Sequence, residues 1–373
     1  MLILAAILGI LIYGIVAATW GTFNPTLGFS DAQTGAIAAA NAIGLVVASI
    51  SVGPLIDLKG KKVALVGGLA LISTSFWVLP MAGHDFTLVL VALTMLGLGG
   101  GIVVTGANAL VSDVAESRRG SMLNILNLFF GLGGLITPFV TANILRGSAE
   151  RMCYVAAVLA SVALLINFFT PMPKPTGERG FKASEIGAVV GRPALYLLAL
   201  FLFLYVACEM GVWNWLARYL TEVRGLDKST ALNILALGFA LGLLVGRLAV
   251  SRILINVSAL SVTLGASVGM AIATFAMLQV TSPSAAWVVV FCAGLAMAPM
   301  FPTTLAMVGD AFPRMTATAM GIVITCGWLG LAVSSKIIGS FAHLQTALLL
   351  LPGFSVTMIL VNLAMRPLLR KPA

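Results

Sequence analysis

The side chains in this 373-residue chain best suited to hold a solute are polar groups set inside long apolar runs. In CEMGVWNW, residues 208–215, Glu209 is followed one helical turn later by Trp213 and Asn214. A charge at the middle of a membrane helix costs about 2.5–3.5 kcal/mol even on the mildest scale, so a carboxyl group there calls for a compensating role. Pairing with Arg218 is the plainer alternative, but that residue lies more than two turns further on. Polar groups recur at helical spacing: Thr105 with Asn108, and Asn124 with Asn127, are i, i+3 pairs that share a face. Trp20, Asn24, Asn41, Thr325 and Trp328 add single polar or indole groups to other runs. Amides donate and accept hydrogen bonds, a carboxylate accepts them, and indoles offer flat apolar faces. That set suits a polyhydroxylated ring, with hydroxyls on Asn and Glu and C–H faces on Trp. The candidate substrate contacts are therefore Asn41, Asn108, Asn124, Asn127, Glu209, Trp213, Asn214, Trp20 and Trp328. The plain alternatives are interhelical ties for the asparagines, worth about 0.6 kcal/mol each on average, and packing for Trp20 and Trp215. An anionic solute would want Lys or Arg at mid-depth. Within the runs only Lys336 and Arg218 qualify, both near one end.

The elements that position these groups follow from composition. The chain is 60% hydrophobic and 9% charged, against roughly 25% charged in a soluble domain. Breaking it at charged, Pro/Gly and Asn/Asp clusters gives twelve apolar segments: 2–23, 32–56, 62–82, 86–111, 119–145, 150–170, 194–220, 229–253, 256–281, 284–309, 315–341 and 344–366. Each can cross about 30 Å of hydrocarbon at about 1.5 Å per residue. A spanning segment must satisfy its own backbone groups, which makes it a helix. The expected fold is an all-α integral membrane protein of twelve transmembrane helices. The long polar connection PMPKPTGERGFKASEIGAVVGRP, residues 171–193, splits them six and six. It separates an N-terminal six-helix bundle, 1–170, from a C-terminal one, 194–373.

Charge sets the orientation. Of the 21 Lys and Arg residues, 15 fall in the even-to-odd connections and the C-terminal tail. They are Lys59, Lys61, Lys62, Arg118, Arg119, Lys174, Arg179, Lys182, Arg192, Arg247, Arg252, Arg314, Arg366, Arg370 and Lys371. The positive-inside rule then places these connections and both termini in the cytoplasm, with the chain multi-pass in the cell inner membrane. The net charge of +9 reads as this topology signal, and no nucleic-acid partner is expected. Cys153, Cys208, Cys292 and Cys326 stand singly in apolar stretches, as buried hydrophobes rather than disulfide or metal ligands. With two histidines and no HExxH, Walker or dinucleotide pattern, the sequence implies no metal, no cofactor and no enzyme. The opening MLILAAILGILIYGIV lacks a basic start and is expected to be the first span rather than a cleaved signal.

The two halves repeat. NALVSDVAESRRGSMLNILNLFFGLGG aligns with TTLAMVGDAFPRMTATAMGIVITCGWLGL, bringing Asp113 into register with Asp310 and Gly133 with Gly330, 197 positions apart. A weaker match sets GPLIDLKGKK (53–62) against GRLAVSRILI (246–255), 193 apart. The loop Gly53-Pro54-Leu55-Ile56-Asp57-Leu58-Lys59-Gly60-Lys61-Lys62 resembles the G-x-L-a-D-r-x-G-r-k loop of the major facilitator superfamily. The resemblance covers the whole chain. It implies two pseudo-symmetric six-helix halves, a substrate site between them near the midplane, and alternating access. In that family the loop locks the halves at the cytoplasmic face, which makes Asp57, Lys59 and Lys61 gating residues here. Asp113 with Arg118 or Arg119, and Asp310 with Arg314, read as gate ion pairs or helix-dipole partners at the corresponding helix ends.

FLYVACEMGVWNWLARYL, GANALVSDV, LNILNLFFGLG and MFPTTLAM are similar to spans seven, four, five and ten of the fucose permease and glucose/galactose branch of the superfamily. Carried over, the resemblance implies sugar contacts from Asn108, Asn124, Asn127 and Glu209. Proton-coupled members of that branch carry acids in spans one and four. Here span one has Asn24 and no acid, and span four has only the terminal Asp113, which leaves uniport and cation symport both open. The expected function is transport of a small polar solute, a monosaccharide, by a monomer in the bilayer. The alternative is an efflux antiporter for drugs or metabolites, since GLGGLITP (131–138) resembles the Gly/Pro motif of antiporters. A membrane sensor would bring a soluble output domain, which the sequence lacks.

Overall fold

Polar caps mark where the helices begin. Gln33 N–H donates to Ser30 Oγ (3.3 Å) and Ser30 N–H donates to Gln33 Oε1 (3.1 Å), a reciprocal capping box. Asp85 accepts from Leu88 N–H (3.0 Å), and Asp227 from Thr230 N–H (2.9 Å). These oxygens satisfy donors that a helix start leaves over. The Thr230 side chain and backbone hold the Asp227 carboxyl below the ordinary carboxylate range.

The computed structural model describes residues 1–23, 27–173 and 183–369, and no strand occurs among them. Twelve helices among the described residues are long and apolar enough to cross a membrane. They are α1 Leu2–Thr19, α2 Ala32–Lys59, α3 Lys61–Ala82, α4 Phe86–Val114, α5 Glu116–Thr141, α6 Ala149–Phe169, α7 Pro193–Glu222, α8 Lys228–Ile253, α9 Ala259–Met277, α10 Pro283–Ala311, α11 Thr316–Gly339 and α12 Leu344–Leu369. The connection before α7 carries a short helix, Ala183–Val190. Asn24, Lys174, Arg179, Lys182, Arg370, Lys371 and the Trp20 side chain lie outside the described residues.

The chain gathers into two compact units. The first holds Met1–Glu116, Leu126–Val189 and Phe312–Thr325; the second holds Ser117–Ile125, Val190–Ala311 and Cys326–Ala373. The start of α5 belongs with the second unit and the first part of α11 with the first.

Glycine seams carry the repeat. In the first unit Gly133 of α5 lies so close to α1 that a Cβ would collide with Leu11 O. In the second, Gly330 of α11 stands in the same relation to Phe203 O of α7. These are the two glycines that the sequence repeat aligns. The α2–α4 and α8–α10 seams match as well: Gly44 meets Thr94 O and Gly97 meets Asn41 O, while Gly242 meets Phe291 O and Gly294 meets Phe239 O.

The second pair of seams corrects the weaker sequence match. Gly242 lies 198 positions after Gly44, and Phe239 lies 198 after Asn41, so the α2–α8 register is 198 rather than 193. The helix-capping residues Ser30 and Asp227 are, however, 197 apart. One extra residue therefore enters α8 between its start and Phe239. Ile234–Phe239 form a π-helical turn at that place, where Ala240 N–H reaches back five residues to Leu235 O. The corresponding part of α2 is ordinary α-helix.

The seams predict a stability pattern. Gly133→Ala and Gly330→Ala force backbone against side chain and each should cost about 1–3 kcal/mol, the range for overpacking. Gly265→Ala in α9, where nothing lies within 4 Å of the added carbon, should be neutral or stabilising. Thermal unfolding of the three purified variants checks this; a Gly133→Ala protein as stable as Gly265→Ala would remove the seam from the account.

Candidate functional site

Pro193 opens α7 at a position where its missing N–H costs nothing. The helix runs thirty residues through Leu, Phe and Ala before ending at Glu222, which puts Glu209 at mid-helix. Glu209 is 9% exposed. Its carboxyl lies beside the Trp213 indole, one turn later, and beside the Tyr205 hydroxyl, one turn earlier, which makes no well-aligned hydrogen bond. The opposite charge acting on Glu209 comes from Arg247. This corrects one sequence expectation and replaces the plainer alternative partner. Arg247 belongs to no connection: it lies inside α8 and is 5% exposed. Arg218 is not the partner of Glu209, since its Nε donates to both carboxylate oxygens of Glu222 at 2.9 Å and its guanidinium lies over Trp215. A neighbour one turn away on the same helix outcompetes one nine positions back. Trp213 is half-buried and meets Phe239 of α8 edge to face, with ring centroids 5.2 Å apart at 78°. Asn214 is exposed and Trp328 half-buried.

Asn124 also lies in the second unit and is fully buried. Its Nδ2 donates to Gly120 O (2.9 Å) and to Thr303 Oγ1 on α10 (3.1 Å), while its Oδ1 has no partner. The first unit holds a second amide cluster. Asn127 Nδ2 donates to Asn108 Oδ1 (2.9 Å), and Asn108 Nδ2 donates to Val104 O in its own helix (2.7 Å). The i, i+3 partners Asn124 and Asn127 are thus engaged in different units. Asn41 Nδ2 donates to Leu93 O (2.8 Å), a tie between α2 and α4. Thr105 Oγ1 and Thr325 Oγ1 are buried without hydrogen-bond partners. Each unanswered buried polar atom costs about 1–3 kcal/mol unless something fills its place. Tyr13, which the sequence did not single out, stacks on Phe130 at 5.2 Å in the same unit. Its only sequence signal is a phenol in the middle of an apolar run.

The loop residues form contacts of another kind. Gly60 takes φ 93°, a conformation open to glycine, and makes the turn between α2 and α3. Asp57, 3% exposed, accepts from Ala317 N–H (3.3 Å), Thr318 N–H (2.8 Å) and Thr318 Oγ1 (2.7 Å). Its charge thus sits on the N-terminus of α11, where the helix dipole favours an anion. Lys61 pairs with Asp113 (2.6 Å), and Arg119 pairs with Asp310. The expected pairings of Asp113 with Arg118 or Arg119, and of Asp310 with Arg314, are replaced by these. A carboxylate at a helix end is reached by a side chain from a neighbouring helix more readily than by one a few residues ahead in its own connection. Lys59, Arg118 and Arg314 are exposed.

Twelve apolar helices among the described residues, in a twofold repeat, with unanswered polar groups buried inside them and ion pairs at helix ends, point to a polytopic membrane transporter. The chain belongs to the major facilitator superfamily, whose model matches residues 2–335. Members of this family are transporters rather than enzymes, so the chain acts on a small-molecule substrate within a lipid bilayer. Among curated relatives, the quinolone resistance protein NorA of Staphylococcus aureus is 28% identical over 178 residues, 46% of this chain and 45% of that one. Among solved structures, FucP in the outward conformation matches with a TM-score of 0.85 at 16% identity, covering 97% of this chain and 98% of that one. FucP is the fucose:proton symporter of E. coli. The human organic anion transporter MFSD10 matches with a TM-score of 0.79 at 17% identity, again covering 97% and 98%. At these identities the structural likenesses carry the fold.

Proposed function

We propose that this transporter carries a monosaccharide by alternating access, as a monomer in the inner membrane with both termini cytoplasmic. The observation that carries the reading is the buried Glu209 with the Trp213 indole beside it, a carboxylate next to an aromatic ring. A carboxylate accepts from vicinal hydroxyls, and an indole covers the C–H face of a pyranose. The Asn108–Asn127 pair and the open Oδ1 of Asn124 add amide groups suited to the same chemistry. Asp57, Lys61 and Asp113 act as gate residues, as do Arg119 and Asp310, and the positive-inside rule supports reading the basic connections as cytoplasmic. The likeness to a fucose symporter supports a sugar.

The likeness to a quinolone resistance protein favours a second reading, efflux of lipophilic compounds. Thermal shift of the purified protein separates the two. With a sugar present at about 100 times its dissociation constant, the native state should gain about 2.7 kcal/mol and unfold at a higher temperature. Lipophilic cations should leave the midpoint unchanged. A response to the cations alone would replace the sugar reading with the efflux reading.

A further inference from the structure

The π-helical turn in α8 falls where the second repeat meets its candidate site. It ends at Phe239, which is fully buried and touches Trp213, the indole beside Glu209. The Phe239 backbone has no freedom to move toward α10, because its carbonyl fills the space where Gly294 lacks a side chain. Three residues on, Gly242 is closed against Phe291 O in the same way. Phe239 is therefore a ring carried on a fixed backbone and set against a half-buried indole. The repeat makes the placement more specific. Phe239 occupies the position of Asn41 in α2, whose carbonyl fills the equivalent space at Gly97. Asn41 donates to the backbone of the neighbouring helix, whereas Phe239 spends its side chain on Trp213. An inserted residue would ordinarily turn every following side chain by about 100°. The wide turn confines that change to Ile234–Phe239 and leaves the seam below it in register.

We propose that Phe239 is a positioning residue for the substrate site: presented by the π turn, it fixes the plane of the Trp213 indole and thereby sets which ring stereochemistry the site prefers. Phe239 itself touches no solute and acts through Trp213. The proposal rests on the reading of Glu209 and Trp213 as sugar contacts, and the test separates the two.

The first arm needs no ligand. The near-ultraviolet circular dichroism difference between the unmodified protein and Trp213→Phe isolates the Trp213 band. Phe239→Leu should remove about half or more of that band, because an indole released from its aromatic partner samples more orientations. Phe239→Tyr should retain the band. Gly294→Ala, which displaces the Phe239 backbone from α10, should lose it as Phe239→Leu does. The second arm titrates D-glucose, D-galactose, L-fucose and D-xylose calorimetrically. Phe239→Leu should reduce the affinity ratio between the preferred sugar and its weakest competitor by about threefold to tenfold, and Phe239→Tyr should restore it. A Phe239→Leu protein that keeps the Trp213 band, or keeps the sugar ratio within twofold, overturns the proposal. If the unmodified protein binds none of the four sugars, the monosaccharide reading fails, and the dichroism arm alone decides whether Phe239 positions Trp213.

Discussion

Glu209→Gln should lower sugar uptake in proteoliposomes by about tenfold to a hundredfold while the protein still folds. Hydrogen bonds to a charged group contribute about 1.5–3 kcal/mol each, and a carboxamide keeps the shape but loses the charge. It also turns one of the two oxygens into a donor, so the Trp213 indole and a solute hydroxyl would have to share the other. The change removes a charge that is costly at this depth, but it also takes the opposite charge away from the buried Arg247, so the midpoint of unfolding should hold or fall. A loss of uptake in a protein that remains folded at the assay temperature is the signature of a group kept for its ligand. Unchanged uptake by Glu209→Gln, with sugar-dependent thermal stabilisation retained, would take the residue out of the site and leave it an internal partner of Arg247.

Asp57→Ala should open the basic end. Three hydrogen bonds from Ala317 and Thr318 end on this one carboxylate. Removing it leaves two backbone N–H groups and a hydroxyl buried with nothing to accept from them, at a cost of about 3 kcal/mol or more. A state that depended on the contact would then lose roughly a hundredfold in population relative to one that did not. Ala319 of α11 is fully buried next to this contact. A cysteine placed there by Ala319→Cys should be labelled at least tenfold faster by a water-soluble maleimide when Asp57→Ala is added. Transport should fall in parallel. Asp57→Asn should lie between, since one amide oxygen can still accept. Equal labelling rates in the two backgrounds would show that the carboxylate caps α11 without controlling access.

The sequence made the helices legible because hydropathy is local: twelve runs of the right length are visible whatever their neighbours are, and twelve helices of that kind are present among the described residues. It made the Gly133–Gly330 equivalence legible for a different reason. A helix seam tolerates no side chain, so the glycines persist in both repeats. Partner choice was not legible. Asp113 and Asp310 were visible as helix-end carboxylates in want of a cation, but only the assembled helices show that Lys61 and Arg119 reach them. Arg247 was hidden by its position near the end of an apolar run, where a buried arginine and a loop arginine look alike. The α2–α8 register was misread by five residues, because matching GPLID to GRLAV weighs one glycine, while the contacts with α4 and α10 weigh a whole seam. Glu209 and Trp213 were legible as a pair from helical spacing alone. Phe239 was not, since nothing in ILALGF marks a π turn and a phenylalanine in an apolar run carries no signal.

That wide turn also bears on how the two repeats can drift apart. The capping residues Ser30 and Asp227 keep one spacing and the seams beyond the turn keep another, so a length change has been taken up inside a buried helix without breaking the joints on either side. Such a place works as an expansion joint. The framework on both sides stays fixed, and the residues inside the joint are free to exchange an amide for a ring. Duplicated halves built in this way can keep a common scaffold while only one of them is retuned to a new ligand.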